Sequence, residues 1–134
     1  MLKQISIYAE NKKGAMQNIT KILLDNQINI LGSVTNDSAE YGIVRMVVSD
    51  PETACKALNE SDYLCRMVNV IGVEITDEVG NLNKLLSFIS DGNISLDYLY
   101  LSFNRQSGKP IMVFHTEDPG AVENVLKQKG YTVL

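Results

Sequence analysis

The sequence predicts an α+β fold built of two ferredoxin-like βαββαβ units, each an antiparallel sheet with its helices on one face. The prediction follows from a repeated apolar pattern, from the order of strand-like and helix-like segments in each copy, and from the length of 134 residues. Apolar residues make up 45% and charged residues 21%, the usage of an ordinary globular chain. We therefore expect a first domain over residues 1–68 and a second over residues 69–134.

The repeat becomes visible when the second half of the chain is laid over the first. At an offset of 66 residues, Gly14 falls on Gly80. Further along the offset is 68, and Asp50-Pro51 falls on Asp118-Pro119. An insertion of two residues near 104–109, a polar stretch suited to a hairpin turn, reconciles the two offsets. One small architecture is therefore encoded twice.

The first copy opens with a strand and a helix. Apolar and polar residues alternate over 4–9, the period of a half-buried strand. Gly14 ends this pattern, and the apolar residues that follow are spaced as on one face of a helix. That helix should end near Asp25-Asn26.

A hairpin and a second helix complete the first copy. Runs of β-branched residues at Ile28–Thr35 and Gly42–Ser49 predict the two arms of the hairpin. Asp50 has the chemistry of an N-cap, with Pro51 at the first helical position, where its missing N–H costs nothing. Tyr63–Val70 is the predicted last strand.

The second copy repeats this order. Its strands are predicted at Ile71–Ile75, Ile94–Phe103, Pro110–His115 and Tyr131–Leu134. Its helices are predicted at Leu82–Ile89 and after Asp118-Pro119. A single unit of about 66 residues buries only ~60% of its unfolded surface and is marginal alone. We therefore expect the units to pair, and we also expect a homodimer of the whole chain.

Composition excludes several classes of protein. The formal net charge is −4, from 12 basic and 16 acidic residues that are spread rather than clustered, so we expect no nucleic-acid partner. No stretch of ~18 uncharged apolar residues occurs, so we expect no membrane association. The N-terminus has no signal-peptide pattern, and the two cysteines form no disulfide framework, so a cytoplasmic location is expected.

The same order of elements also serves RNA-recognition domains. Glu40–Val44 weakly resembles the sheet motif of that class. However, Ile43 and Arg45 stand where stacking aromatic side chains would be needed. The stretch is therefore interpreted as an ordinary strand.

Catalytic and metal chemistry find little support in the sequence. Cys55 and Cys65 are predicted to be packing residues, and the first strand-to-helix loop holds no thiols for a metal chaperone. The lone His115 is predicted to sit at a strand end in a hydrogen bond. Asp77 and Glu78 are adjacent acids on an exposed turn. No catalytic constellation results, so we expect neither an enzyme nor a cofactor.

The strand-to-helix loops are the remaining candidates for a site. Each places a glycine, Gly14 or Gly80, at the start of a helix. Free N–H groups and the positive end of the helix dipole make such a place suitable for a carboxylate. A turn that needs an unusual φ explains the glycine equally well without any ligand.

The chain resembles tandem ACT domains, small-molecule sensing modules often attached to enzymes of amino-acid metabolism. The resemblance covers essentially the whole chain. It is carried by Ile5–Ala15 with Asn26–Ile30, and more weakly by Val73–Asn81 with Gly92–Leu96.

The loops depart from the family pattern at one position. The family commonly has Asp-x-Pro-Gly or Asn-x-Pro-Gly in this loop. Lys13 and Val79 stand where proline is usual.

The resemblance implies that an amino acid binds at an interface between ACT units, against this loop and the start of the second strand. Carried over position by position, it implicates Asn11, Gly14, Ala15, Asn29 and Ile30 in the first copy and Asp77, Gly80, Asn81, Ser95 and Leu96 in the second. The N–H groups of Ala15 or Asn81 would meet the α-carboxylate, and the side chains of Asn11, Asn29 or Asp77 the ammonium group.

The two loops carry opposite charge. Lys12 and Lys13 make the first loop cationic, whereas Asp77 and Glu78 make the second anionic. We therefore add Lys12 to the binding residues. The first loop is predicted to bind a carboxylate better, and the second loop is predicted to bind an ammonium group better.

The sequence thus favours a regulatory protein that binds an amino acid or a related small metabolite. The alternative is a non-catalytic subunit that docks on an amino-acid biosynthetic enzyme and binds no small ligand.

Overall fold

The computed structural model describes residues 1–10, 12–37 and 41–134. These residues form two compact units. The first unit is Lys3–Val68, and the second is Asn69–Leu134 together with Met1–Leu2.

The first unit follows the order strand, helix, strand, strand, helix, strand. Its elements are β1 (Leu2–Glu10), α1 (Ala15–Asp25), β2 (Ile30–Asp37), β3 (Tyr41–Val48), α2 (Pro51–Glu60) and the beginning of β4 (Leu64–Glu74). β3 lies between β1 and β2 and is antiparallel to both. Val44 of β3 is opposite Ile7 on one side and Thr35 on the other.

The second unit repeats that order from the end of β4. It continues through α3 (Asn81–Asp91), β5 (Tyr98–Phe103), β6 (Pro110–His115), α4 (Pro119–Lys129) and β7 (Thr132–Val133). Its strands are antiparallel and lie in the order β5, β6, β4, β7.

Each unit has a hydrophobic core of its own. In the first, Ile7 of β1 packs in one cluster with Leu23 of α1 and Leu58 of α2. In the second, Phe114 of β6 packs in one cluster with Leu85 of α3. These side chains are fully buried, and each such burial stabilises the fold by about 1.5–3 kcal/mol.

The predicted N-caps of α2 and α4 are confirmed. Asp50 accepts a hydrogen bond from the Thr53 N–H at 3.1 Å, and Asp118 accepts one from the Ala121 N–H at 3.1 Å. Thr53 Oγ1 also donates to Asp50 at 2.7 Å, and these hydrogen bonds hold the pKa of the Asp50 carboxyl below its ordinary value.

Tyr63–Val70 and Ile71–Ile75 were predicted as two adjoining strands, the last of the first copy and the first of the second, but they form one strand. β4 runs through both segments as one strand, because no turn residue interrupts it. Gly72 lies inside the strand and is buried. A Cβ there would stand 2.5 Å from the Leu2 side chain, so glycine provides room for that contact.

The strands after α1 and α3 begin later than predicted, at Ile30 and Tyr98. Two residues beyond the end of each helix, Gln27 or Asn93 has a positive φ of +57°. The following N–H then donates back into the helix, which delays the strand.

Within the described residues, no helix is long and apolar enough to cross a membrane.

Candidate functional site

The loop between β1 and α1 is closed by backbone hydrogen bonds. The Lys12 N–H donates to the Glu10 carbonyl at 2.9 Å, and the Ala15 N–H donates to the Lys12 carbonyl at 3.2 Å. The Asn18 N–H then donates to the Gly14 carbonyl at 2.9 Å, which begins the helix.

The loop between β4 and α3 contains the same bonds at equivalent positions. The Glu78 N–H donates to the Thr76 carbonyl at 2.9 Å, and the Asn81 N–H donates to the Glu78 carbonyl at 3.2 Å. The Lys84 N–H donates to the Gly80 carbonyl at 2.9 Å. The repeat therefore extends to individual hydrogen bonds.

The glycine of each loop is required by its backbone conformation. Gly14 has φ +85° and Gly80 has φ +90°, in the left-handed region that other residues rarely adopt. A Cβ at either position would meet nothing within 4 Å. The turn alone accounts for both glycines.

The start of each helix leaves backbone donors available. The predicted carboxylate donors, the N–H groups of Ala15 and Asn81, instead donate to carbonyls of their own loops. Among the residues that the structure describes, none accepts a hydrogen bond from the N–H of Met16 or Gln17. In the second unit, no described residue accepts a hydrogen bond from the N–H of Leu82 or Asn83. These are the groups that an anion could reach.

A depression of about 540 Å³ borders the first loop. It is lined by Ala9, Glu10, Lys12, Gly14, Ala15, Met16, Gln17, Ile19, Thr35, Gly42 and Val44. It therefore brings together three of the predicted site residues, Lys12, Gly14 and Ala15. Asn11, which was also predicted, lies outside the described residues.

A depression of about 410 Å³ borders the second loop. It is lined by Ile75, Thr76, Asp77, Glu78, Leu82, Leu101, Phe103, Pro110 and Met112. Asp77 was predicted at this site. Asn81 lines a separate cavity with Tyr131, and its side-chain amide donates to the Thr76 carbonyl at 2.8 Å.

The strand residues that line this second depression were not predicted from the sequence. Leu101 is opposite Met112 and Phe103 is opposite Pro110 in the β5–β6 pair. The alternation of apolar residues along β5 indicated that Leu101 and Phe103 share one face of the strand, but not that they border the loop.

The strand-start residues of the first unit lie far from its loop. The Asn29 N–H donates to Ser49 Oγ at 2.9 Å, and Ile30 is opposite Val48. The loop follows the other end of the sheet, where Ala9 is opposite Gly42. Six residues of β3 separate these ends, about 20 Å at the usual strand rise.

The second unit shows the same separation. Ser95 lines a cavity of about 410 Å³ together with Thr116, just past the end of β6. Leu96 packs against the second hydrophobic core. The loop lies at the opposite end of β6, where the Ile75 N–H donates to the Pro110 carbonyl at 3.0 Å. One unit by itself does not bring loop and strand start together.

The opposite charges of the two loops lie on exposed side chains. Lys12 pairs with Glu10 at 3.6 Å, but both side chains are well exposed, so the pair contributes little. Lys13 has no ion pair to any described residue. Asp77 and Glu78 are exposed beside the second depression.

The other candidate reactive groups have structural partners. His115 Nδ1 is 2.5 Å from an Asp97 carboxylate oxygen, and its ring stacks on Tyr98 with a centroid distance of 5.4 Å. Cys55 Sγ donates to the Cys65 carbonyl at 3.1 Å, and burial raises the pKa of the Cys65 thiol. No group of three His, Cys, Asp or Glu side chains suited to a metal ion is found among residues 1–10, 12–37 and 41–134.

Comparison with known proteins gives a consistent result. A family model described as an ACT domain pair matches residues 1–133. Protein BT0572 from Bacteroides thetaiotaomicron is 31% identical, with a TM-score of 0.90 over 99% of this chain and 91% of that one. No curated protein sequence matches the chain.

Two further crystal structures share the fold at lower identity. The ligand-free regulatory subunit of aspartate kinase from Thermus thermophilus is 14% identical, with a TM-score of 0.67 over 94% of this chain and 91% of that one. The corresponding subunit from Thermus flavus is 15% identical, with a TM-score of 0.61 over 96% of this chain and 93% of that one.

Proposed function

The chain belongs to the ACT domain pair family, and from this premise we propose that it is a regulatory protein that binds an amino acid or a related small metabolite. The observation that supports this most is the pair of glycine loops with the same hydrogen bonds, each bordering a depression. Concave sites beside open backbone donors are where small ligands bind.

We propose that residues 1–68 and 69–134 are two ACT domains of ferredoxin-like fold. The sheet order of the second unit, with its first strand between its third and fourth, supports this assignment. So does the order of strands and helices in each unit.

The ligand would bind through its two charged groups. Its α-carboxylate would approach the N–H groups at the start of α1 or α3 that donate to no described residue, and its ammonium group would approach a side chain such as Asp77. Gly14 and Gly80 allow the turn that begins each helix, and the residues Met16, Gln17 and Leu82 line the depressions.

The loop provides half of such a site. The strand-start residues Asn29, Ile30, Ser95 and Leu96 lie at the opposite end of the sheet in their own units. We propose that the strand start of a second copy of the chain completes the site, which is therefore a property of a homodimer. Binding would then favour one packing of the dimer over another, as allosteric control requires.

The regulated partner is proposed to be an enzyme of amino-acid metabolism, and the chain itself is proposed to be non-catalytic. Two proteins of this fold are regulatory subunits of aspartate kinase, which supports this choice of partner. The same likeness supports a second candidate, a subunit that docks on such an enzyme and binds no small ligand.

A thermal-shift screen of the full chain against the twenty amino acids separates the two candidates. A ligand at ~100 times its Kd adds ~2.7 kcal/mol to stability, and the melting temperature would rise by several degrees. A flat screen, together with co-purification of an amino-acid biosynthetic enzyme, would favour the second candidate. Turnover of any metabolite would contradict both.

A further inference from the structure

The two loop depressions differ in chemistry at equivalent positions. The strand pairings place Leu101 in the second unit where Thr35 stands in the first, and Phe103, opposite Pro110, also lines the second depression. At three other equivalent positions the second unit also has the larger apolar residue. Ile75, Pro110 and Met112 stand there in place of Ala9, Gly42 and Val44. The second depression is therefore markedly more apolar.

The apolar side chains of the second depression extend beyond the core. Met112 is buried in the core cluster, whereas its strand partner Leu101 is 46% exposed and Phe103 is 44% exposed. Large apolar side chains left open beside a cavity are characteristic of binding sites. A ligand group that covers them must itself be apolar.

The rim of the same depression is acidic. Asp77 and Glu78 line it and are exposed, so the site has a negative edge and an apolar floor. Its complement is a molecule that carries a cationic group next to an apolar one. A zwitterionic amino acid with a large apolar side chain has this arrangement, and the N–H groups of Leu82 and Asn83 remain for its carboxylate.

We propose that the second loop site is selective for amino acids with a large apolar side chain, of the leucine, methionine or phenylalanine kind. The first loop site, with Thr35 and Gly42 at its floor and Lys12 at its rim, takes a smaller or more polar ligand. This inference rests on the proposed function and adds a ligand class to one of its two sites.

A second copy of the chain packed patch to patch is a less suitable occupant of this surface than an amino acid. In a two-fold symmetric contact centred on this patch, the same surface faces itself. Asp77 and Glu78 would then approach the same acids of the other copy, and their repulsion would oppose the contact. The ammonium group of an amino acid would instead neutralise part of the negative charge of Asp77 and Glu78.

Titration calorimetry of the full chain with individual amino acids tests the proposal. The probes are L-leucine, L-methionine and L-phenylalanine, against L-serine, L-threonine and L-aspartate. The test variant is Leu101→Thr with Phe103→Ser, which removes both exposed apolar groups without adding charge. The control is Leu64→Thr at the start of β4, which is similarly exposed at 50% and lines neither loop depression.

At least one apolar probe should bind, and the double variant should weaken it about tenfold or more while the control leaves it unchanged. Binding of polar probes alone would overturn the inference and leave the proposed function standing. Binding of no amino acid would contradict both. Equal apolar affinity in the double variant, or a dimer that becomes a monomer in sedimentation velocity with that variant only, would also overturn the inference.

Discussion

Gly14 and Gly80 adopt the same left-handed conformation, with φ of +85° and +90°, at the same point of two loops that share few side chains. The residue before each is different, Lys13 in one loop and Val79 in the other. The backbone of the loop is therefore kept while its chemistry varies. This is the arrangement expected of two related sites with different ligands.

Replacing either loop glycine by alanine should lower the free energy of unfolding by about 1 kcal/mol, because a Cβ makes the left-handed conformation unfavourable. No side chain would clash, so the loss comes from the backbone alone. Urea denaturation of Gly14→Ala and Gly80→Ala measures it.

The matched control is Gly120→Ala at the start of α4. Gly120 is not among the positive-φ glycines, and a Cβ there has its nearest contact at 3.9 Å. This variant should gain a few tenths of a kcal/mol from helix propensity and a less flexible unfolded chain. Equal effects of all three substitutions would contradict the account of the loops.

Reversing the charge of the first loop should weaken its amino-acid ligand. Lys12→Glu with Lys13→Glu places negative charge beside the proposed carboxylate seat, and we expect an affinity loss of about three- to tenfold at low salt that shrinks as salt screens it. Calorimetry at two ionic strengths measures this.

A second double variant of the first unit provides the control for net charge. Lys56→Glu with Arg66→Glu changes the charge by the same amount at exposed positions outside the depression. It should leave affinity unchanged. A similar loss in both double variants would show that the effect is not local to the loop.

The N-cap of α2 should make stability depend on pH. The hydrogen bonds from Thr53 lower the pKa of Asp50 in the folded state. Its contribution is therefore present above the unfolded pKa, about 3.9, and is lost as the pH falls through the lower folded value. Asp50→Asn can still cap but cannot titrate.

Urea denaturation of the chain and of Asp50→Asn at pH 6 and at lower pH checks this. As the pH falls, the free energy of unfolding of the unchanged protein should approach that of Asp50→Asn or drop below it. A constant difference across this range would be evidence against the role of the Thr53 hydrogen bonds.

The two thiols should be unreactive in the folded protein. Cys55 and Cys65 are buried, and burial raises the pKa of the Cys65 thiol, so little thiolate forms at neutral pH. Labelling with a disulfide reagent such as DTNB should be slow in buffer and complete in denaturant. Rapid release of two equivalents in buffer would contradict this packing role.

The order of elements and the N-caps were predictable because their signals are local. The spacing of apolar residues, the Asp50-Pro51 pair and the loop glycines each act within a few positions of the chain. His115 was also predicted in its strand-end hydrogen bond, and the structure confirms it with Asp97.

What escaped prediction depends on pairing between distant residues. The turn after α3 delays β5, but the residue at which its pairing begins depends on a contact across the sheet, where the Asp97 N–H donates to the His115 carbonyl. That Leu101 borders the loop site follows from its position opposite Met112, and strand register cannot be read from either strand alone.

The most direct test of the central claim is an amide NMR titration of the full chain with the amino acid that gives the largest thermal shift. Binding at the loops predicts that the amide signals of Gly14 or Gly80, and of the next three residues, move most and saturate with the ligand. Saturating shifts confined to other parts of the chain, or no shift with any amino acid, would contradict the account.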